Sequence, residues 1–362
     1  MDSVFIPLSA IKGRGAASQM AHRFESTVRD ACDDGWDTLA IEQDERALPR
    51  TQVTFENARS ALTRNDSPDI SFVQGLNPYR GCEHGCIYCY ARPTHSYLNL
   101  SPGLDFETRL VAKRNLAEVL RRELSRPGYR PESTAVGTVT DAYQPIEREL
   151  RLTRAAVELF HETRHPFGIV TKSSGVERDL DLLAPLAERG LVSVYITITT
   201  LDAELSRRLE PRAAAPQRRL RTIRTLAEAG VPVGVSVSPQ IPFINEDMEQ
   251  VMDAAWQAGA RRAFYQVIRL PWEVSPLFRE WLDVHYPQRA ARVMARIQDM
   301  RGGKDYDADF ATRMKGTGEW AALLRQRFTR ASRRSGYNQE RREQDISQFR
   351  PPAKLEGQGM LF

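Results

Sequence analysis

From Ile70 to Ile268 the chain alternates short apolar runs with longer stretches of helical spacing, and this rhythm restricts the fold more than any other feature. The strand candidates are 70–75, 134–140, 167–172, 191–199, 231–238 and 262–268. Their β-branched content is high, and Val192-Ser-Val-Tyr-Ile-Thr-Ile-Thr199 alternates with the two-residue period of a strand. Helical stretches lie between them, for example 108–124 and 151–163. Ala187-Glu-Arg-Gly190, Ala227-Glu-Ala-Gly230 and Trp256-Gln-Ala-Gly259 each close a helical stretch just before an apolar run, as a left-handed glycine does. Strands joined by helices pair in parallel through right-handed crossovers, which predicts an α/β fold. Such folds keep their active sites at the C-terminal ends of the strands.

The loop expected after the first strand reads Gly81-Cys-Glu-His-Gly-Cys-Ile-Tyr-Cys-Tyr90. It holds Cys82, Cys86 and Cys89, three of the chain's four cysteines, spaced C-x3-C-x2-C; the fourth is Cys32. A cubane iron–sulfur cluster presents four iron corners to thiolate ligands. Three thiolates leave one iron open to bind and activate a small molecule. A disulfide framework does not suit four cysteines in 362 residues. A structural zinc site, with His84 or His95 as fourth ligand in a non-catalytic binding module, lacks a second Cys/His pair at the usual spacing.

C-x3-C-x2-C followed directly by an aromatic residue resembles the signature of the radical S-adenosylmethionine (SAM) superfamily. Asn77-Pro-Tyr-Arg-Gly-Cys82 and Thr140-Asp-Ala-Tyr-Gln-Pro-Ile-Glu147 resemble the spore photoproduct lyase-like branch, often labelled DNA-repair-photolyase-like. The resemblance implies a partial (β/α)6 barrel, a [4Fe-4S] cluster on Cys82, Cys86 and Cys89, and SAM bound to the open iron. Reduction then cleaves SAM to a 5′-deoxyadenosyl radical, which abstracts hydrogen from a substrate. It further implies a reductant such as flavodoxin or ferredoxin, and damaged or modified nucleic acid as a candidate substrate. A protein or small-molecule substrate is the alternative.

By motif position, Tyr90 is expected near the adenine of SAM. Thr140 and Asp141, closing the second strand, are candidates for its amino group, although Asp141 also suits a turn cap before Pro145. Lys172 and Ser173, at the end of the third strand, resemble SAM-proximal residues of the branch. Thr197, Thr199 and Ser236 offer hydroxyls at the next two strand ends, and Arg219 offers a fork for a carboxylate. One departure concerns hydrogen return: spore photoproduct lyase uses an additional cysteine, and the only spare one here is Cys32, so a tyrosine such as Tyr143 would have to substitute.

The expected layout is an irregular N-terminal extension over 1–69, the partial barrel over 70–270, a helical extension over 271–335 and a flexible tail over 336–362. Lys12-Gly-Arg-Gly-Ala16 reads as a basic loop or a phosphate nest. Arginines crowd 325–342 beside Phe328 and Tyr337, a pattern shared by nucleic-acid contacts and by solvated helix ends. Gln358, Leu361 and Phe362 resemble the Q-x-x-L-F peptides that dock on the bacterial sliding clamp. Net charge is +4. No apolar run is long enough for a membrane span, and no basic-then-apolar leader opens the sequence, so a cytoplasmic location is expected.

Overall fold

The computed structural model describes residues 8–25, 50–340 and 344–353. Its strands, numbered in chain order, begin with β1 (Gln52–Glu56), β2 (Leu62–Arg64), β3 (Gln74–Leu76), β4 (Tyr79–Arg80) and β5 (Arg109–Lys113). They continue with β6 (Thr134–Val136), β7 (Phe167–Thr171), β8 (Val192–Thr197), β9 (Val233–Gln240) and β10 (Arg262–Val267). The main sheet runs β10-β9-β8-β7-β6-β3-β2. From β3 to β10 every neighbouring pair is parallel, and β2 closes one side antiparallel to β3. Six consecutive parallel strands without closure form the expected partial (β/α)6 barrel.

Helices α1 (Leu116–Leu124), α2 (Leu152–Thr163), α3 (Leu180–Glu188), α4 (Pro216–Glu228) and α5 (Met248–Gln257) provide the crossovers. Each turns an apolar stripe onto the sheet. In α2 the stripe is Ala156, Val157, Leu159 and Phe160, all buried. Each fully buried large side chain of this kind contributes about 1.5–3 kcal/mol. Beyond the barrel lie α6 (Val274–His285), α7 (Pro287–Asp299) and α8 (Gly318–Ser335).

Several expected boundaries shift. The first barrel strand is Gln74–Leu76 rather than 70–75, because Asn65 captures the preceding run: its backbone N–H donates to Val73 O at 2.7 Å and its side chain to Phe72 O at 2.9 Å. The stretch 108–124 is not one helix. Leu110 and Ala112 point into the protein while Arg109 stays exposed, so Arg109–Lys113 is a strand, parallel to β1 and antiparallel to β4. Residues 50–64, expected to be irregular, thereby supply one strand to each sheet.

The chain after 335 is docked where it is described. Asn338 caps the β10 edge, accepting from Ala263 N at 3.1 Å and donating to Ala263 O at 2.9 Å. Tyr337 donates to Met252 O, and Arg350 N donates to Thr163 O at 2.9 Å. Gln358, Leu361 and Phe362 lie outside the described residues, as does Cys32. Two of the five arginines of α8 are tied to α5: Arg327 pairs with Glu249 and Arg334 with Asp253. Among the described residues no helix is long and apolar enough to cross a membrane.

His165, just before β7, is fully buried between Tyr129 and Pro166, and burial pushes its imidazole down to about 4 from an ordinary 6.5. The folded protein keeps the ring neutral, whereas the unfolded chain takes up a proton below about 6.5. This residue's contribution is therefore complete above that pH and is lost as the pH falls toward 4, by about 3 kcal/mol in all. Urea denaturation of His165→Gln between pH 4 and 7 should show a correspondingly flatter stability profile than the parent. Identical profiles would refute the assignment.

Candidate active site

The cysteine loop leaves β4 at Gly81 and lies at the C-terminal end of the barrel strands. Cys82 and Cys86 are buried, Cys89 is half-buried, and all three thiols are free. Two glycines allow the path. Gly81 and Gly85 sit at φ +75° and +66°, and a Cβ on Gly85 would stand 2.6 Å from Glu107 Oε2. Short backbone turns then close the loop, with Gly85 N donating to Cys82 O and Cys89 N to Cys86 O.

The loop is gripped by Arg92. Its guanidinium donates to Cys86 O at 2.9 Å, Gly85 O at 3.1 Å, Pro102 O at 3.1 Å and Gly103 O at 2.9 Å, and it pairs with Glu107. Both side chains are fully buried. The Glu107 carboxylate also accepts the backbone N–H groups of Gly15 and Ala16, each at 2.9 Å. The first half of the loop is held from the other side by Gln144, which accepts from Glu83 N at 2.9 Å and donates to Gly81 O at 3.2 Å.

The barrel interior faces Cys86 with a second ionic network. Glu210 accepts from Tyr88, Thr199 and Arg219. The Arg219 guanidinium is committed inside the protein, donating also to Ala214 O at 2.6 Å and Thr197 O at 2.9 Å. Burial opposes charge on Glu210, but Arg219 and Lys172 outweigh it and hold the carboxyl below its usual range. The Lys172 ammonium forms no ion pair or hydrogen bond among the described residues and lies 5.9 Å from the Tyr88 ring centroid. Burial works against its charge, yet Cys86, Glu210 and Asp141 push its pKa up. It is a cation held ready.

The other expected positions separate by their partners. Asp141 is an internal brace whose carboxylate accepts from Tyr143 N at 2.9 Å, Thr171 Oγ1 at 2.6 Å and Lys172 N at 2.7 Å. His84 Nδ1 stands 3.3 Å from it, an ion-pair separation without hydrogen-bond alignment. Burial opposes the Asp141 charge, but His84 and these donors hold the carboxyl well below the usual carboxylate range. Thr140 donates to Tyr79 O at 3.2 Å, and Ser173 accepts from Gly175 N at 3.0 Å as a helix cap. Thr197 and Ser236 are buried register partners on β8 and β9. Thr199 joins the Glu210 network. Tyr90 is 42% exposed, donates to Thr138 O, and carries the Arg269 guanidinium 4.3 Å above its ring. Tyr143 is buried and donates its hydroxyl to Asp179 at 3.0 Å.

The donor set fits a cluster better than a single zinc ion. His95 is bonded at 3.0 Å to the Arg109 carbonyl, and His84 faces Asp141. Among the described residues no three His, Cys, Asp or Glu side chains converge to hold one ion. The three thiols instead share one eight-residue loop, and burial pushes the Cys86 thiol up to about 12. Buried thiols beside the Lys172 cation suit a metal cluster that replaces their protons.

A three-thiol loop at the C-terminal end of an open (β/α)6 sheet defines an enzyme of the radical SAM type. The chain belongs to the radical SAM superfamily, whose profile matches residues 76–255. An uncharacterized protein of Mycobacterium bovis is 34% identical over 271 residues, covering 73% of this chain and 80% of that one. An uncharacterized protein of Methanocaldococcus jannaschii is 27% identical over 242 residues, covering 66% and 85%. A spore photoproduct lyase variant with bound AdoMet and dinucleoside spore photoproduct shares the fold, with TM-score 0.51 and 16% identity over 78% of this chain and 79% of that one. A cysteine-to-serine variant of the same lyase gives TM-score 0.52 and 17% identity at the same coverage. Members of this superfamily use a [4Fe-4S] cluster and SAM, and draw on a reductant.

Arg92, Glu107, Tyr88 and Glu210 went unassigned in the sequence because each acts through a partner that only folding reveals. Nothing in the linear pattern marks Glu210 as the anion that Arg219 and Tyr88 share. Arg92→Met leaves Glu107 buried without its cation, and should lower stability by about 3–5 kcal/mol. Iron retained per chain after anaerobic reconstitution should fall with it. A parent-like denaturation midpoint together with full iron loading would show that the pair does not hold the loop.

Proposed function

We propose that this enzyme applies radical SAM chemistry to a nucleic acid, with Cys82, Cys86 and Cys89 as the cluster ligands. Bound there, a reduced [4Fe-4S] cluster supplies the electron that cleaves the sulfonium of SAM. Lys172 is assigned to the SAM carboxylate, since among the described residues its ammonium has no hydrogen-bonded or ion-paired anion. Thr197 and Ser236 line the neighbouring strand ends as hydroxyl donors. Thr140, Asp141, Ser173, Thr199 and Arg219 act through the backbone and the Glu210 network, fixing the walls. Tyr90 and Arg269 form a stacked pair at the mouth.

The observation that supports a nucleic acid is an exposed aromatic platform. Phe24, Tyr97 and Trp272 are 56%, 70% and 64% exposed. All three surround one cation, with the Arg23 guanidinium 4.8, 5.2 and 4.5 Å from their ring centroids. Glu273 fixes that arginine at 2.9 Å. Trp272 holds a left-handed φ of +46°, a strained conformation that concentrates at functional sites. It follows β10, and Tyr97 follows the cysteine loop, so both lie on the C-terminal side of the sheet. Aromatic faces with an interleaved arginine stack unpaired bases at about 1–3 kcal/mol per base. A clamp-docking tail through Gln358, Leu361 and Phe362 belongs to the same reading.

The reconstituted enzyme, given SAM and dithionite, should form 5′-deoxyadenosine, and the triple cysteine-to-alanine variant should form none. Lys172→Ala should raise the KM for SAM about tenfold or more, with partial recovery in Lys172→Arg. Trp272→Ala should weaken single-stranded oligonucleotide binding roughly 5- to 150-fold by fluorescence anisotropy. No oligonucleotide binding by the parent, with 5′-deoxyadenosine still formed, would move the substrate to a protein or small molecule.

A further inference from the structure

A cavity of about 530 Å3 opens on the outer side of the cysteine loop, beside Glu83. Lys12, Arg14, Arg50, Thr51, Glu83 and Arg212 line it. Four cations thus face one carboxylate. That carboxylate is occupied: Glu83 accepts from Thr51 Oγ1 at 2.8 Å and Ile146 N at 3.0 Å, and pairs with Arg212 at 3.1 Å. Lys12 and Arg50 are exposed and have no protein partner among the described residues.

Two of the four cations are held in place, Arg212 by Glu83 and Arg14 from inside the protein. Arg14 is nine-tenths buried and donates to Glu107 O at 3.0 Å and to Thr51 Oγ1 at 3.4 Å. A tight turn, closed by Arg14 N donating to Ile11 O at 3.0 Å, puts Lys12 at its tip. Gly13 in that turn has φ +75° and open space where a Cβ would be, so the backbone there is accessible to a ligand. Burial and the like charge of Arg212 both push the Arg14 pKa down, a repulsion that a bound anion would relieve.

We propose that this pocket is an oxyanion site for a phosphoryl group, supplied either by a nucleic-acid backbone or by a free phosphorylated molecule. A polyphosphate or phosphodiester suits it because the cations come from three separate segments and surround a concave space, with charge-assisted donors on more than one side. The site does not depend on the base-stacking platform assigned above. Phosphate bound here would press on Glu83 and Arg14, which adjoin the cysteine loop directly and through Glu107.

The test uses the reconstituted holoenzyme and two probes. Inorganic pyrophosphate, followed by calorimetry, should bind the parent and bind Lys12→Gln/Arg50→Gln about tenfold or more weakly. Arg212→Gln should weaken it independently, and unchanged iron content would show that both variants fold. A labelled oligonucleotide then separates the sources. If pyrophosphate displaces it, and the double variant lowers the slope of log affinity against log salt by about 1.5–2, the ligand is backbone phosphate. If the oligonucleotide is indifferent while pyrophosphate binds, the ligand is a free phosphorylated molecule. Absence of pyrophosphate binding in the parent, or equal binding in the double variant, would overturn the site. Trp272→Ala reports on the base platform separately, so failure of either assignment is read on its own.

Discussion

The buried Arg92–Glu107 pair is the contact on which the active-site loop depends. A chain carrying three thiols in eight residues cannot bury them against a hydrophobic core and also satisfy the carbonyls of so tight a loop. Arg92 resolves this by placing its N–H groups on four carbonyls, two of them in the loop itself, and on Glu107. Lysine has neither the fork nor the number of directed donors for that task. Glu107 balances the charge and reaches further, to the N–H groups of Gly15 and Ala16. One ion pair therefore joins three segments distant in sequence.

The sheet determines what faces this loop. Parallel strands deliver their C-terminal ends to one side, so Lys172 after β7, Thr199 after β8 and the Glu210–Arg219 pair all gather beside Cys86. Their charges are arranged with a bias. Glu210 is neutralised by Arg219 and drawn on by Tyr88 and Thr199, while among the described residues Lys172 has no hydrogen-bonded anion of its own. The cation left without such a partner is thus a single side chain near the thiols. In a site of low polarity that bias favours an anionic ligand group, which is the basis for proposing that Lys172 meets the carboxylate of SAM.

How much of this could be read beforehand depended on whether a signal was local. The cysteine spacing is local, and so are the glycine stops before β8, β9 and β10, which is why the thiol loop and the parallel strands were legible. Residues 109–113 were not. Leu110, Val111, Leu116, Val119 and Leu120 satisfy a helical spacing, and only pairing with Gln52–Glu56 makes the first part a strand. The positions expected near SAM were legible as strand ends but not in their partners. Asp141 and Arg219 carry the functional groups that a ligand would want, yet each has its hydrogen-bonding capacity taken by neighbours that no linear pattern announces.

The N-terminal segment shows the same limit most sharply. In sequence, Lys12-Gly-Arg-Gly-Ala16 is a short basic loop without a preceding strand to give it meaning. In the fold, Gly15 lies so close to the cysteine loop that a Cβ would come within 1.8 Å of the Gly85 carbonyl oxygen. Any larger residue there would separate two backbones that Glu107 holds together. The segment is therefore structurally part of the thiol loop, although residues 17–81 separate it in sequence from the first of those cysteines. Gly15 is fixed by contact and Arg14 by the Glu107 carbonyl, while Lys12 at the turn has no partner among the described residues. An element built this way transmits force in both directions: whatever occupies the outer pocket touches Arg14, and Arg14 touches the residue that holds Arg92 in place.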